Sequence, residues 1–234
     1  MRSMIDSNIR AVLFDAVGTI LTPRTSVAQV YFEVGSRCGS RLSIETIGQR
    51  LTEAFAIQEK LDRIARNQTC EARERQRWES IVTRVFDDIE TSQCFEELYA
   101  EFALSSTWVA NPDLPPVLEQ LQQRGMVLGV ASNFDHRLRT ILEGMPELSA
   151  LTHLVISSEI EWKKPAPQFY HRACEILDCA PEEVLFIGDD IENDYRAARE
   201  AGLQAILFDP KRLNQEAESI SSFVELLDVD QLKN

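Results

Sequence analysis

Hydrophobic residues recur along this chain in two rhythms. From residue 24 to 104 they fall at three- and four-residue spacing, in four successive stripes. These are Val27, Val30, Tyr31 and Val34; Ile44, Ile47, Leu51 and Phe55; Trp78, Ile81, Val82, Val85, Phe86 and Ile89; and Phe95, Leu98, Tyr99 and Phe102. That period puts each stripe on one side of a helix, so four amphipathic helices packed as a small bundle are expected. Trp78 and the other aromatics of the stripes read mostly as core, and the charged run Glu71 to Arg77 as a solvated helix turn.

Outside this block the rhythm alternates between short apolar runs and helical stretches. Residues 10–17 read as a strand. After Asn111-Pro112-Asp113-Leu114-Pro115-Pro116 the pattern predicts a helix near 114–124 stopped by Gly125, a strand at 126–131 and a helix near 134–143. A strand at 153–157, a helix at 167–177 opened by Pro165 and Pro167, and a strand at 184–187 follow. A helix near 191–201, a strand at 203–208 and a last helix near 219–227 complete the series. Short strands alternating with helices imply an α/β fold, a doubly wound, Rossmann-like parallel sheet with helices on both faces. The expected division is a core from 1–23 and 105–234, with the α-helical bundle of 24–104 inserted after the first strand.

Composition narrows the function. A chain of 234 residues with 44% hydrophobic and 26% charged content is ordinary for a globular protein. Its net charge of -14 repels phosphate backbones and anionic lipids, so neither nucleic acid nor a membrane surface is the expected partner. Five cysteines without Cys-x-x-Cys spacing point to reduced thiols and a cytoplasmic setting, with no zinc site. The first ten residues lack the apolar run of a secretory signal, and no run approaches transmembrane length. No repeat or motif assigns an oligomeric state.

The candidate chemistry gathers where strands end. An apolar strand stops at the carboxylate Asp15, and Gly18 and Thr19 follow, residues suited to a tight turn beside a ligand. The second core strand ends in Ser132 and Asn133, the third leads to Lys163, Lys164 and Pro165, and the fourth ends in Gly188, Asp189, Asp190, Asn193 and Asp194. Ligands of open parallel sheets bind at the carboxyl ends of strands. A nucleophile, a hydroxyl, a lysine and a carboxylate cluster collected there suit an anionic, metal-bound substrate. Asp190 reads either as a ligand or as a helix cap, and Lys163 as a neighbour with a solvated head. His136, His153 and His171 fit no ligand spacing.

These four segments, in this order, resemble the motifs of the haloacid dehalogenase superfamily, with the helical insert where that family carries its type 1 cap. The phrases Phe14-Asp15-Ala16-Val17-Gly18-Thr19, Ala131-Ser132-Asn133-Phe134-Asp135-His136-Arg137-Leu138 and Ile156 to Pro167 are similar to its branch known as haloacid dehalogenase-like hydrolase domain-containing 3. The resemblance implies that Asp15 attacks substrate and forms an aspartyl intermediate. It implies a Mg²⁺ ion held by Asp15, the Val17 carbonyl and Asp189, with Asp194 orienting a bound water or the lysine. Thr19 and Ser132 would bond the transferring group, beside Asn133, and Lys164 would offset its charge.

Val17 complicates the reaction. Phosphatases of this family carry a second Asp there, which protonates the leaving oxygen and later activates water. Dehalogenases carry a non-acidic residue, because halide leaves unprotonated, but they work without metal and lack the leading Asp of the last motif. Two ionised carboxylates about 4 Å apart repel by roughly 4 kcal/mol at an effective dielectric of 20. A divalent cation is the simplest way to hold both. The expected activity is therefore a slow or leaving-group-selective phosphohydrolase acting on a small phosphorylated substrate. A metal-independent 2-haloacid dehalogenase, a phosphonate hydrolase, and a catalytically weak phosphometabolite- or partner-binding protein stand as alternatives.

Overall fold

A computed structural model describes residues 5–227. The first strand, β1 (Ala11–Phe14), is buried along its whole length and stops one residue before Asp15. A short strand β2 (Leu21–Pro23) leads into four helices: α1 (Val27–Arg37), α2 (Ile44–Ile64), α3 (Glu71–Val85) and α4 (Ser92–Glu101). Ser26 and Ser43 cap the first two by accepting from the backbone N–H of Gln29 and Thr46. Tyr31, Ile47, Ile81, Phe86 and Phe95 are buried together at the centre of the four, as the stripes predict. The stripe that starts at Trp78 outlasts its helix, which ends at Val85 while Phe86 still enters the core.

The chain leaves the helical block through β3 (Trp108–Ala110), which pairs antiparallel with β2, Pro23 opposite Trp108. This two-stranded neck has no signature in the sequence pattern, because each strand is three residues long. The alternating part follows: α5 (Leu114–Gln123), β4 (Val127–Ser132), α6 (Arg137–Glu143), β5 (His153–Ile156) and a four-residue helix α7 (Ser157–Ile160). Then come α8 (Pro167–Leu177), β6 (Val184–Gly188), a π-helical turn at Ile191–Arg196, α9 (Ala197–Glu200), β7 (Gln204–Phe208) and β8 (Ser219–Ile220).

Among the described residues, one sheet has the order β5-β4-β1-β6-β7-β8, all pairs parallel. Alternation along β1 separates its two faces. Val12 and Phe14 pack with Leu118 and Leu121 of α5 and Leu138 and Ile141 of α6. Ala11 and Leu13 pack with Phe169 and Tyr170 of α8 and Ala198 of α9. Helices on both faces force the ligand site to the strand ends. Phe14 lies in register with Val130 and Ile187, so the segments after β1, β4 and β6 emerge side by side.

The expected last helix at 219–227 is corrected. Ile220 joins the sheet beside Phe208, and only Phe223–Leu226 turns, as a short 3₁₀ helix capped by Ser222. Phe223 stacks on Phe208 with ring centroids 4.6 Å apart, so pairing and aromatic contact override the helical spacing. The expected helix at 191–201 is interrupted, its first half being π-helical. Among the described residues no helix is long and apolar enough to cross a membrane.

Candidate active site

Asp15 leaves β1 with its backbone N–H bonded to the Ile187 carbonyl at 2.8 Å, and the residue is only 7% exposed. Lys164 Nζ lies 2.6 Å from Asp15 Oδ1, and Ser132 Oγ donates to the same oxygen at 3.1 Å. The ammonium also reaches Asp194 Oδ1 at 2.6 Å, bridging two buried carboxylates. Burial pushes the Asp15 carboxyl above its ordinary range, against the pull of Lys164, and the charge of Asp189 adds to the rise. Burial alone would lower the Lys164 ammonium, but the charges of Asp15 and Asp194 outweigh it and hold the lysine protonated. The Asp194 carboxyl is pushed up to about 6, first by burial and further by the charge of Asp15, although Lys164 opposes both.

Two glycines make room for these carboxylates. Gly18 has φ +96°, and a Cβ there would stand 2.4 Å from Asp189 Oδ2. At Gly188 a Cβ would stand 2.2 Å from Asp194 Oδ2. Asp189 itself accepts from Thr19 Oγ1 at 3.0 Å, and burial raises its carboxyl against that bond. Thr19 is thus engaged with Asp189. Asp190 resolves toward capping: its carboxylate accepts from the backbone of Glu192 and Asn193 and from the Asn193 amide at 2.8–2.9 Å. The Tyr170 hydroxyl donates to the Asn193 carbonyl and fixes the same turn to α8.

Asn133 holds the lysine loop. Its Oδ1 accepts from Lys164 N at 2.7 Å and its Nδ2 donates to Lys164 O at 3.0 Å, and the peptide from Lys164 to Pro165 is cis. Lys163 departs from the expectation of a solvated head. It is 5% exposed, with Nζ 2.9 Å from Asp62 on α2 and 3.2 Å from Glu74 on α3. The run from Glu71 to Arg77 is likewise more than a solvated turn. Glu74 is buried and accepts from Thr69 at 2.6 Å, Arg77 reaches Asp62 at 3.3 Å, and Glu71 bonds His136 and Ser158. Backbone bonds reinforce this second join between block and core: Lys163 N to Asn67 O at 2.8 Å and Thr69 N to Glu161 O at 3.0 Å. Sequence spacing carries no signal for it, because both partners of Lys163 are about a hundred residues away or nearly so.

The donor set at the strand ends suits a hard cation. Oxygens of Asp15, Asp189 and Asp194 lie within 4.8 Å of one another, the ligand type magnesium takes. Three carboxylates against the single ammonium of Lys164 leave two negative charges unbalanced when all are ionised, the charge of one divalent ion. A second trio, Glu71, Asp135 and His136, is equally close. There Asp135 already holds Arg137 through both oxygens, at 2.7 and 2.8 Å. Val17 is 38% exposed and lines the pocket that contains Asp15, Ser132, Lys164 and the last-motif carboxylates.

Comparison with known proteins agrees with this architecture. A model of the haloacid dehalogenase-like hydrolases matches residues 9–202. The chain is 27% identical over 206 residues to haloacid dehalogenase-like hydrolase domain-containing protein 3 of Bos taurus, covering 85% of this chain and 81% of that one. In three dimensions it is similar to a dehalogenase solved with an intermediate complex (TM-score 0.72, 20% identity, 95% of this chain and 97% of that one). It is also similar to a HAD phosphatase from Thermococcus onnurineus (TM-score 0.68, 22% identity, 93% and 96%). At these identities the two structures establish the fold, and they span both chemistries that Val17 leaves in competition. The family match covers most of the chain, and the protein belongs to the haloacid dehalogenase-like hydrolases.

Proposed function

We propose that this hydrolase is a Mg²⁺-dependent phosphohydrolase that acts on a small phosphorylated substrate through Asp15. The observation that carries the reading is the convergence of Asp15, Asp189 and Asp194 with, among the described residues, the ammonium of Lys164 to balance them. The Val17 carbonyl would add a further oxygen to the three carboxylates. When bound, the cation supplies the charge neutralisation that lets a phosphate dianion approach a carboxylate nucleophile.

Asp15 Oδ attacks phosphorus, an oxygen–phosphorus bond forms, and the bond to the leaving oxygen breaks with its electron pair going to the leaving group. Water then attacks the aspartyl phosphate, frees inorganic phosphate and restores the carboxylate. Lys164 offsets charge on the transferring group while Asp194 keeps the ammonium in place. The Ser132 and Thr19 hydroxyls, which donate to Asp15 and Asp189 in the free protein, would turn to phosphoryl oxygens when substrate binds. Asn133 acts one step back, by holding the backbone of Lys164. The helical block serves as the cap over the strand ends.

Val17 can neither protonate a leaving oxygen nor deprotonate water, a loss worth about 10²–10⁴-fold in rate. Acyl and aryl phosphates, whose leaving groups depart without a proton, are therefore the better substrates. The same residue is what favours a dehalogenase, and one paired assay separates the two. Purified protein is given phenyl phosphate or 2-chloropropionate, with Mg²⁺ or with chelator. Phosphate release that stops on chelation supports the proposal; chelator-resistant halide release overturns it.

A further inference from the structure

A second cavity, ≈ 270 Å³ in volume, opens beside the pocket of Asp15 and shares Val17 and Asn133 with it. Its walls are aromatic: Phe55 and Trp78 from the helical block, Phe102 and Trp108 at the neck, and Phe134 from the core. Phe55 and Trp78 meet edge to face with centroids 5.9 Å apart, as do Trp108 and Phe134 at 6.1 Å. Trp78 is only half-buried, although its place in a helical stripe reads as core. A cavity of roughly 150 Å³ lined by apolar side chains already holds a benzene molecule, so this one accepts a ring with its substituents.

Two arginines also line it, and both are compensated. Arg137 is paired with Asp135 at 2.7 Å and lies over the Tyr99 ring at 3.7 Å, and Arg77 is paired with Asp62 at 3.3 Å. Neither leaves a free cation that would call for an anionic group. Val17 and Asn133 line both the apolar cavity and the carboxylate pocket, so a group departing from a phosphorus atom held at Asp15 has this cavity next to it.

From this juxtaposition we infer that the leaving group carries an aromatic ring without a charged substituent, presented as an aryl or aroyl phosphate, with the ring seated in the cavity that Phe55, Trp78 and Phe134 line. The inference rests on the phosphohydrolase reading and adds the substrate class. The oxygen that joins the ring to phosphorus, directly in an aryl phosphate or through a carbonyl in an aroyl phosphate, leaves with the electron pair of the broken phosphorus–oxygen bond, as phenoxide or benzoate, while Asp15 takes the phosphoryl group. Val17 continues the apolar wall where a carboxylate would meet the ring.

Benzoyl phosphate and acetyl phosphate make the test, because their leaving groups are similarly acidic and differ by the ring. With Mg²⁺, kcat/KM is expected to favour benzoyl phosphate by roughly ten- to a hundredfold, the range for an apolar pocket filled or empty. That preference should shrink about tenfold or more in Trp78→Ala and in the milder Phe55→Leu. Equal efficiency on the two substrates, or a preference unchanged in both variants, overturns the ring site and leaves the phosphohydrolase reading intact. Quenching of tryptophan fluorescence by phenylphosphonate and by methylphosphonate gives a readout that needs no turnover. If neither acyl phosphate is cleaved and phenylphosphonate still binds more tightly, the ring site stands and the hydrolytic reading falls. Failure of both cleavage and selective binding overturns both.

Discussion

Lys163 Nζ and the Asp62 carboxylate lie 2.9 Å apart, tying the loop that carries Lys164 to the long helix α2 of the inserted block. Glu74 completes the pair from α3, and all three side chains are largely shielded from water. Breaking a buried ion pair by deleting one partner costs about 3–5 kcal/mol, because a charge is left behind. Thr69 and Arg77 still serve Glu74 and Asp62, so Lys163→Met should fall at the low end, about 3 kcal/mol. Urea denaturation measures it. A loss under about 0.5 kcal/mol, the surface-pair range, would show that the contact does not persist in solution.

Val17→Asp should restore what the site lacks. The position is partly open and faces the pocket of Asp15, so a carboxyl fits there. Turnover of an alkyl phosphate such as glycerol phosphate should rise by about 10²-fold or more, while acyl phosphates gain little. Steady-state kinetics on both substrate types checks it, and equal gains on both would contradict a missing acid.

Gly188→Ala should damage the carboxylate cluster. The new methyl would need the space of the Asp194 side chain, which is itself held by Lys164 and by the Asp190 backbone N–H. Overpacking of this kind costs about 1–3 kcal/mol, and it should also weaken the Mg²⁺-induced rise in melting temperature. A variant as stable as the parent, with its metal response intact, would contradict the packing described.

The metal response should depend on pH with a definite sign. The Asp194 carboxyl, pushed up to about 6 by burial, keeps its proton in the folded state at pH values where the unfolded chain has lost it. The contribution of Asp194 to metal-free stability therefore declines as pH rises from the ordinary carboxylate range through about 6, then levels off. Mg²⁺ needs the ionised form, so its stabilising effect grows over the same window. At a hundredfold excess over Kd it amounts to about 2.7 kcal/mol. Melting curves near pH 5 and near pH 7.5, with and without Mg²⁺, report it. A metal-induced shift larger at the acid end would reverse the expected sign.

Much of this is legible in the sequence. The burial of β1 and its abrupt end at Asp15 follow from an apolar run meeting a carboxylate, and the alternation after residue 111 gives the parallel sheet. The motif order brings Ser132, Lys164, Asp189 and Asp194 into one list, and the register of β1 with β4 and β6 explains why they share one edge. Long-range contacts were not legible. Lys163 sits beside a residue that points into the site, yet its partners come from helices whose charged positions read as solvent-facing. Residues 219–227 keep a helical spacing, but Ile220 gains a strand neighbour and Phe223 a stacking partner that local periodicity does not encode. The aromatic wall of the second cavity was hidden for the same reason, since Trp78 and Phe134 lie 56 positions apart in the sequence.

The most direct measurement is covalent capture at Asp15. Protein mixed with benzoyl phosphate and Mg²⁺ is quenched in acid within one turnover, digested and examined by mass spectrometry. A phosphoryl group on the peptide containing Asp15 is expected, lost on chelation and absent from Asp15→Asn. Phosphate release with Asp15 unmodified at every time sampled, or an ester formed at Asp15 from 2-chloropropionate in the presence of chelator, would contradict it.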